Sequence, residues 1–263
     1  MSESILHKIG ATVQRRIDDL KTTTSLAELK EQAGKRSYKP QDFTAPFREA
    51  DRVSVIAEFK RASPSKGDIA PELKPLDVAG QYLDAGATAL SILTEPSYFR
   101  GDLDYIRQIR SAHPKARILM KDFFVDEYQL YQALDAGADA ILIIVGLLGK
   151  ERALELHSQA QDLGLTTLVE VHDEQELACG LSLQPDLLGV NNRDLRDLSI
   201  TLETSRRLKK LIPDDQLAIS ESGIETLSDI KSLQSIGYQG FLVGTSLMKT
   251  GTPGSALKKL IEG

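Results

Sequence analysis

A single cysteine, Cys179, leaves no partner for an intrachain disulfide and no set of thiolates for a cysteine-built metal site. Such sparse usage fits a reducing compartment, and a cytoplasmic location is expected. No apolar run approaches the roughly 20 residues needed to span a bilayer. The opening residues MSESILHKIG lack the apolar stretch of a secretory leader, so no membrane partner is expected. Basic excess is missing as well: 32 Lys plus Arg stand against 38 Asp plus Glu, a formal charge of -6. That balance argues against nucleic acid as a partner, because phosphate neutralisation needs a surplus of cations. A small anionic substrate stays open, provided that cations are gathered locally. Neither a P-loop nor a dinucleotide glycine fingerprint occurs in the chain.

What the 263 residues do contain is enough apolar matter for a sizeable core, 41% of the total. Strand-like runs recur at Val53–Phe59, Ala89–Leu93, Ile118–Met120, Ala140–Val145, Thr167–Val171, Leu187–Val190, Leu217–Ser220 and Phe241–Val243. Most are continuously apolar rather than alternating, the pattern of parallel strands covered on both faces. Amphipathic stretches lie between them: Pro75–Ala85, Asp126–Ala136, Lys150–Leu163, Leu202–Leu211 and Thr226–Ile236. Gly86, Gly137, Gly164 and Gly237 stand where left-handed helix caps are expected. The phrases Asp84-Ala-Gly-Ala and Asp135-Ala-Gly-Ala read as a repeated helix-to-strand joint. The runs start about every 27 residues, close to the minimum for a βαβ step. Eight such units imply a closed (β/α)8 TIM barrel, with an open doubly wound sheet as the alternative. Residues 1–50 fall outside this rhythm. Ile5–Leu20 and Leu26–Ala33 read as helices, so an N-terminal helical extension packed on a 51–263 barrel domain is expected.

In such a barrel the active face lies at the strand C-termini and the loops that follow. The polar residues there are Glu58 and Lys60 after the first strand, Lys121 and Asp122 after the third, and Glu170 with His172 after the fifth. Asn191 and Arg193 follow the sixth, Glu221, Ser222 and Gly223 the seventh, and Gly244, Thr245 and Ser246 the eighth. Charges at the ends of apolar strands are expensive to bury unless paired or used. Glu58 and Lys60 are two apart, so an extended strand points them to the same side. Two lysines and three glutamates at one mouth would form an acid–base constellation for a small molecule. Each pair taken alone also reads as a rim ion pair, and Asn191 and Arg193 as ordinary turn residues. Gly223 and Gly244 follow the strands after which backbone N–H groups often hold phosphate, and Thr245 adds a hydroxyl. His172 is only a weak pointer to a metal, since His7, His113 and His157 show no convergent spacing, and no metal is expected. Cys179 reads as core, and Lys258 and Lys259 as a solvated helix face.

Longer motifs sharpen this. Val55-Ile-Ala-Glu-Phe-Lys-Arg-Ala-Ser-Pro-Ser-Lys-Gly67 closely resembles the first-strand motif of the indole-3-glycerol phosphate synthase family. Leu93-Thr-Glu-Pro96 with Phe99 and Gly101, Leu119-Met-Lys-Asp-Phe123, and Leu168-Val-Glu-Val-His172 continue the match. Gly189-Val-Asn-Asn-Arg-Asp-Leu195, Ser220-Glu-Ser-Gly223 and Val243-Gly-Thr-Ser-Leu-Met248 complete it. The resemblance covers almost the whole chain and looks like the family's monofunctional form. It implies cyclisation of 1-(2-carboxyphenylamino)-1-deoxyribulose 5-phosphate to indole-3-glycerol phosphate, with loss of carbon dioxide and water and without a cofactor. Carried over from the motifs, Lys121 is the expected general acid, in a role exchangeable with that of Lys60. Glu170 is the expected base, and Glu58 and Glu221 orient the lysines. Ser63, Asn191, Arg193 and Ser222 are expected to bind substrate, Gly223, Gly244 and Thr245 to hold phosphate, and Phe123 to cover the aromatic ring. A Schiff-base aldolase and a non-catalytic sugar-phosphate sensor are the rival readings. The sequence leaves the oligomeric state open, a monomer included.

Overall fold

In a computed structural model, which describes residues 4–49, 53–194 and 198–263, eight parallel strands close into one barrel. They are β1 Val55–Phe59, β2 Ala89–Leu93, β3 Ile118–Lys121, β4 Ala140–Ile144, β5 Thr166–Val171, β6 Leu187–Asn191, β7 Ala218–Glu221 and β8 Gly240–Val243. Each pairs with its neighbours in chain order, and β8 returns to β1 through Val55 opposite Phe241. The expected (β/α)8 barrel therefore forms and the open-sheet alternative falls. The expected domain boundary at residues 50 and 51 lies outside the described residues, as does Leu195.

The continuous apolar runs explain the closure. β1, β2, β4, β6 and β8 are buried along their whole length, which only a sheet covered on both faces allows. Twelve helices are described: α1 Ile5–Thr23, α2 Leu26–Gly34, α3 Pro75–Asp84, α4 Pro96–Phe99, α5 Asp104–Ala112, α6 Glu127–Ala136, α7 Val145–Asp162, α8 Glu174–Ser182, α9 Glu203–Lys209, α10 Leu227–Gln234, α11 Thr245–Met248 and α12 Pro253–Glu262. α7 is broken at Gly149, so its long part begins at the expected Lys150. Gly137 ends α6 at a φ of 99°, a conformation open to glycine but strained for other residues.

The N-terminal segment runs from one end of the barrel to the other. At the strand C-termini, Arg16 of α1 reaches Asp122 at 2.9 Å. α2 lies along α6, with Lys30 3.3 Å from Glu127. Ile9, Val13, Ile17 and Leu29 form a second apolar cluster with Tyr128, against which Phe99 and Phe123 pack. At the opposite end, the Gln41 N–H donates to Asp139 (2.8 Å). Phe47 packs so closely on Gly240, the first residue of β8, that a methyl group there would meet its ring at 2.7 Å.

Candidate active site

β1 places Glu58 and Lys60 on the same side, as their spacing predicts, and the Lys60 ammonium donates to Glu58 at 2.5 Å. Lys121 ends β3 and points into the same cavity. Its ammonium lies 2.6 Å from Glu221 Oε2 and 3.3 Å from Glu170 Oε2. The nearer partner is thus Glu221, a hundred residues away in sequence. The cavity is lined by all five of these residues together with Phe123, Asn191, Arg193, Ser222, Gly223, Gly244 and Thr245.

Ser63 does not line the cavity. It is buried in a short hairpin, Ala62–Ser63 with Gly67–Asp68, its hydroxyl 3.4 Å from that of Ser65. Ser65 in turn accepts from Arg193 at 3.2 Å, so Ser63 meets the mouth only through neighbours. Lys66, from the same loop, does line the cavity and was not singled out from the sequence. Its presence in the first-strand motif was the available signal. Asp122 and Ser246, both noted at strand ends, also face the cavity, with apolar Leu142, Ile144 and Ile224.

Electrostatics separate the carboxylates. Burial disfavours the Lys121 ammonium, but Glu221, Glu170 and Glu58 together hold its pKa well above the ordinary lysine value. The glutamates outweigh burial and hold Lys121 in its charged form. Burial also pushes up the Glu221 carboxyl, with Glu170 adding to the rise, and Lys121 only partly offsets it. Its Oε1 is buried without a hydrogen bond. Glu170 goes the other way. Burial raises it, but Lys121, His172 and the Asn191 amide more than compensate, holding it well below the usual carboxylate range. Like-charged groups kept at different protonation states are what an acid–base site requires.

Two features of the backbone make room for these groups. A methyl group on Gly189 would stand 2.1 Å from Glu221 Oε1, and one on Gly244 2.3 Å from Glu58 Oε1. Glycine at these points is what lets each carboxylate lie across a neighbouring strand. Ser222 and Gly223 both have positive φ, 66° and 78°. For Ser222 that is a strained conformation of the kind concentrated at functional sites. Buried Asn192 holds the turn, donating to Ser220 Oγ (2.9 Å), Glu221 O (3.0 Å) and Ser222 O (3.1 Å) while accepting from the Ser205 N–H. Sequence reading noted Asn192 but gave it no part.

Among the described residues no group of three or more His, Cys, Asp or Glu is arranged to hold a metal ion. No described helix is long and apolar enough to cross a membrane.

Comparison with known proteins places this geometry in context. A family model described as indole-3-glycerol phosphate synthase matches residues 6–260. The chain is 42% identical over 260 residues to indole-3-glycerol phosphate synthase of Chromobacterium violaceum, covering 97% of each chain. It is 46% identical over 209 residues to that of Rhodopirellula baltica, covering 80% of each. Among solved structures, 3-hexulose-6-phosphate synthase from Salmonella typhimurium superposes with a TM-score of 0.64 at 13% identity, over 79% of this chain and 96% of that one. A chain of the tryptophan synthase complex from Pyrococcus furiosus gives 0.60 at 16%, over 80% and 98%. At such low identity these structures share the barrel and nothing finer.

Proposed function

Because this chain belongs to the indole-3-glycerol phosphate synthase family and is a carboxy-lyase of tryptophan biosynthesis, we propose that it closes 1-(2-carboxyphenylamino)-1-deoxyribulose 5-phosphate into the indole ring within the cavity that holds Lys121. The observation that carries this reading is the meeting of Lys121, Glu170 and Glu221 within 3.3 Å, beside the Glu58–Lys60 pair.

Ring closure joins the carboxylate-bearing aromatic carbon to the ketone carbon, and the ketone oxygen must gain a proton as its charge develops. Lys121 supplies it, since its two carboxylate neighbours keep it protonated until substrate arrives. The same pairing leaves no free amine, which disfavours Lys121 as an imine-forming nucleophile. Positive charge on the anilino nitrogen is met by Glu58 and Glu221. Carbon dioxide then leaves, and its electron pair restores the aromatic ring. In the last step the new hydroxyl departs as water with a proton from Lys60, and Glu170 removes a proton from the adjacent carbon. A carboxylate held ionised fits that acceptor role. Asn191, Arg193 and Ser222 hold the substrate, Phe123 covers its ring, and Gly223, Gly244 and Thr245 take the phosphate end. Ser63 acts on the phosphate end through Ser65 and Arg193.

Incubation with the carboxyphenylamino substrate should give the fluorescence of the indole product, and a folded protein that binds substrate without turnover would refute the reading. In single-turnover experiments, Glu170→Gln should release carbon dioxide faster than it forms indole. Unchanged dehydration would remove Glu170 as the base.

A further inference from the structure

Behind Glu170, on the side away from Lys121, stands a second ionisable pair to which the reaction above assigns no part. His172 follows β5 and lies between two carboxylates. Its Nε2 is 3.3 Å from Glu170 Oε1, and its Nδ1 is 2.9 Å from Glu176 Oε2. Glu176 is fixed in turn. Its Oε2 also accepts the His172 backbone N–H at 2.9 Å, and Asp173 caps its own N–H at 2.9 Å. Its Oε1 occupies space open only because residue 146 is glycine, where a methyl group would stand 2.3 Å away.

A neutral imidazole has one N–H and one lone pair, so it can satisfy only one of two facing carboxylates. Nδ1 is hydrogen-bonded to Glu176, while Nε2 is buried without a hydrogen bond at ion-pair distance from Glu170, so a neutral ring would set an unpaired lone pair beside negative charge. The arrangement therefore calls for the doubly protonated ring. We propose that His172, oriented by Glu176, is a positioning residue that keeps Glu170 an ionised proton acceptor in a site otherwise hostile to its charge.

The surrounding charges support this. Glu170 is 3% exposed at its side chain and shares Lys121 with Glu221. Glu221 competes with Glu170 for that one ammonium, so a second cation on the other side of Glu170 strengthens the hold on its charge. The groups facing the imidazole are Glu170 on its own strand and Glu176 on α8. Lys121 from β3 and Glu221 from β7 stand beyond Glu170, Asp173 is engaged with the Glu176 N–H, and Lys150 of α7 acts on Cys179 of α8. Burial alone would favour the neutral ring, yet Glu170 and Glu176 raise its pKa to about 10.

The inference rests on Glu170 being the base, and the tests separate the two. The pH profile of indole formation should show its acid limb moving up by one pH unit or more in His172→Gln. On the acid side of that limb turnover should fall tenfold or more, yet recover to within about threefold of the parent at pH 8.5. His172→Lys, which restores a cation, should bring the limb back. A uniform loss at every pH, with the limb unmoved, would mean a merely structural role and overturn the proposal. Glu176→Gln and Gly146→Ala should shift the limb in the same direction by less, and they serve if His172→Gln does not fold. Independently of turnover, the His172 ring should be charged at pH 8 by NMR in the parent and lose a unit or more of pKa in Glu176→Gln. A ring neutral at pH 7 would overturn the proposal. If Glu170→Gln stalls dehydration but His172→Gln leaves the limb fixed, this inference alone falls; normal dehydration in Glu170→Gln overturns both.

Discussion

Lys121 shows how much one side chain can be asked to do. It neutralises part of two buried carboxylates and stands where the acid is needed. Lys121→Met should therefore lower turnover by roughly two to four orders of magnitude. The fold should survive, because Glu221, already pushed up by burial, can take a proton in place of its lost partner. Near-normal rates in folded Lys121→Met protein would remove it as the acid. His172 gives a prediction on stability. Its pKa rises from 6.5 to about 10 on folding, so the folded state binds this proton more tightly than the unfolded chain. The stabilisation is complete below about pH 6.5 and is lost as pH climbs through 10, a fall of about 5 kcal/mol at most. Urea denaturation across that range should show the decline in the parent and its absence in His172→Gln. Equal slopes would contradict the charged ring.

At the level of elements, the strands were legible and their ends were not. A continuous apolar run marks a parallel strand whatever it touches, so all eight were found within about two residues. α5 escaped notice although it presents Ile106 and Ile109 to the core, because alternation with charge masks a helix of nine residues. Among the strand-end loops, the turn after β7 depends on its neighbour. Asn192, at the end of β6, makes three donations to it and accepts one bond from α9. Asn192→Ala takes the side-chain partner from the Ser222 carbonyl and the Ser205 N–H, leaves Glu221 O only the backbone N–H of residue 192, and frees a strained Ser222. The expected cost is about 2–4 kcal/mol by urea denaturation, with a weaker Lys121–Glu221 pairing and slower turnover. A change under about 0.5 kcal/mol would show that the turn holds itself.

For the whole molecule, the segment before the barrel ties its two ends together. Arg16 reaches Asp122, immediately after Lys121, while Phe47 packs under β8. Phe99 and Phe123 belong both to the cavity lining and to the apolar cluster beneath α1. A chain beginning at Lys35 should keep the barrel's circular dichroism but bind a hydrophobic dye at the exposed Phe123 and Tyr128. Its KM should rise about tenfold, since one wall of the aromatic pocket loses its backing. An unchanged KM and no dye binding would show that α1 and α2 are passengers.

The sequence by itself determined the barrel and the stations of its chemistry. Burial of both sheet faces selects continuous apolar strands, and the rule that loops follow strand C-termini points at Glu58, Lys60, Lys121, Glu170 and Glu221 together. Tertiary structure alone decided which of them touch. Lys121 pairs most closely with Glu221 rather than with Glu170, because the carboxylate lies across Gly189 of the adjoining strand. Ser63 is left out of the cavity lining, and Lys66 is brought in. Such choices depend on a missing side chain one strand over and on charges a hundred positions apart. No local pattern carries that information, since it arises only when the closed barrel forces those strand ends into one low-dielectric space.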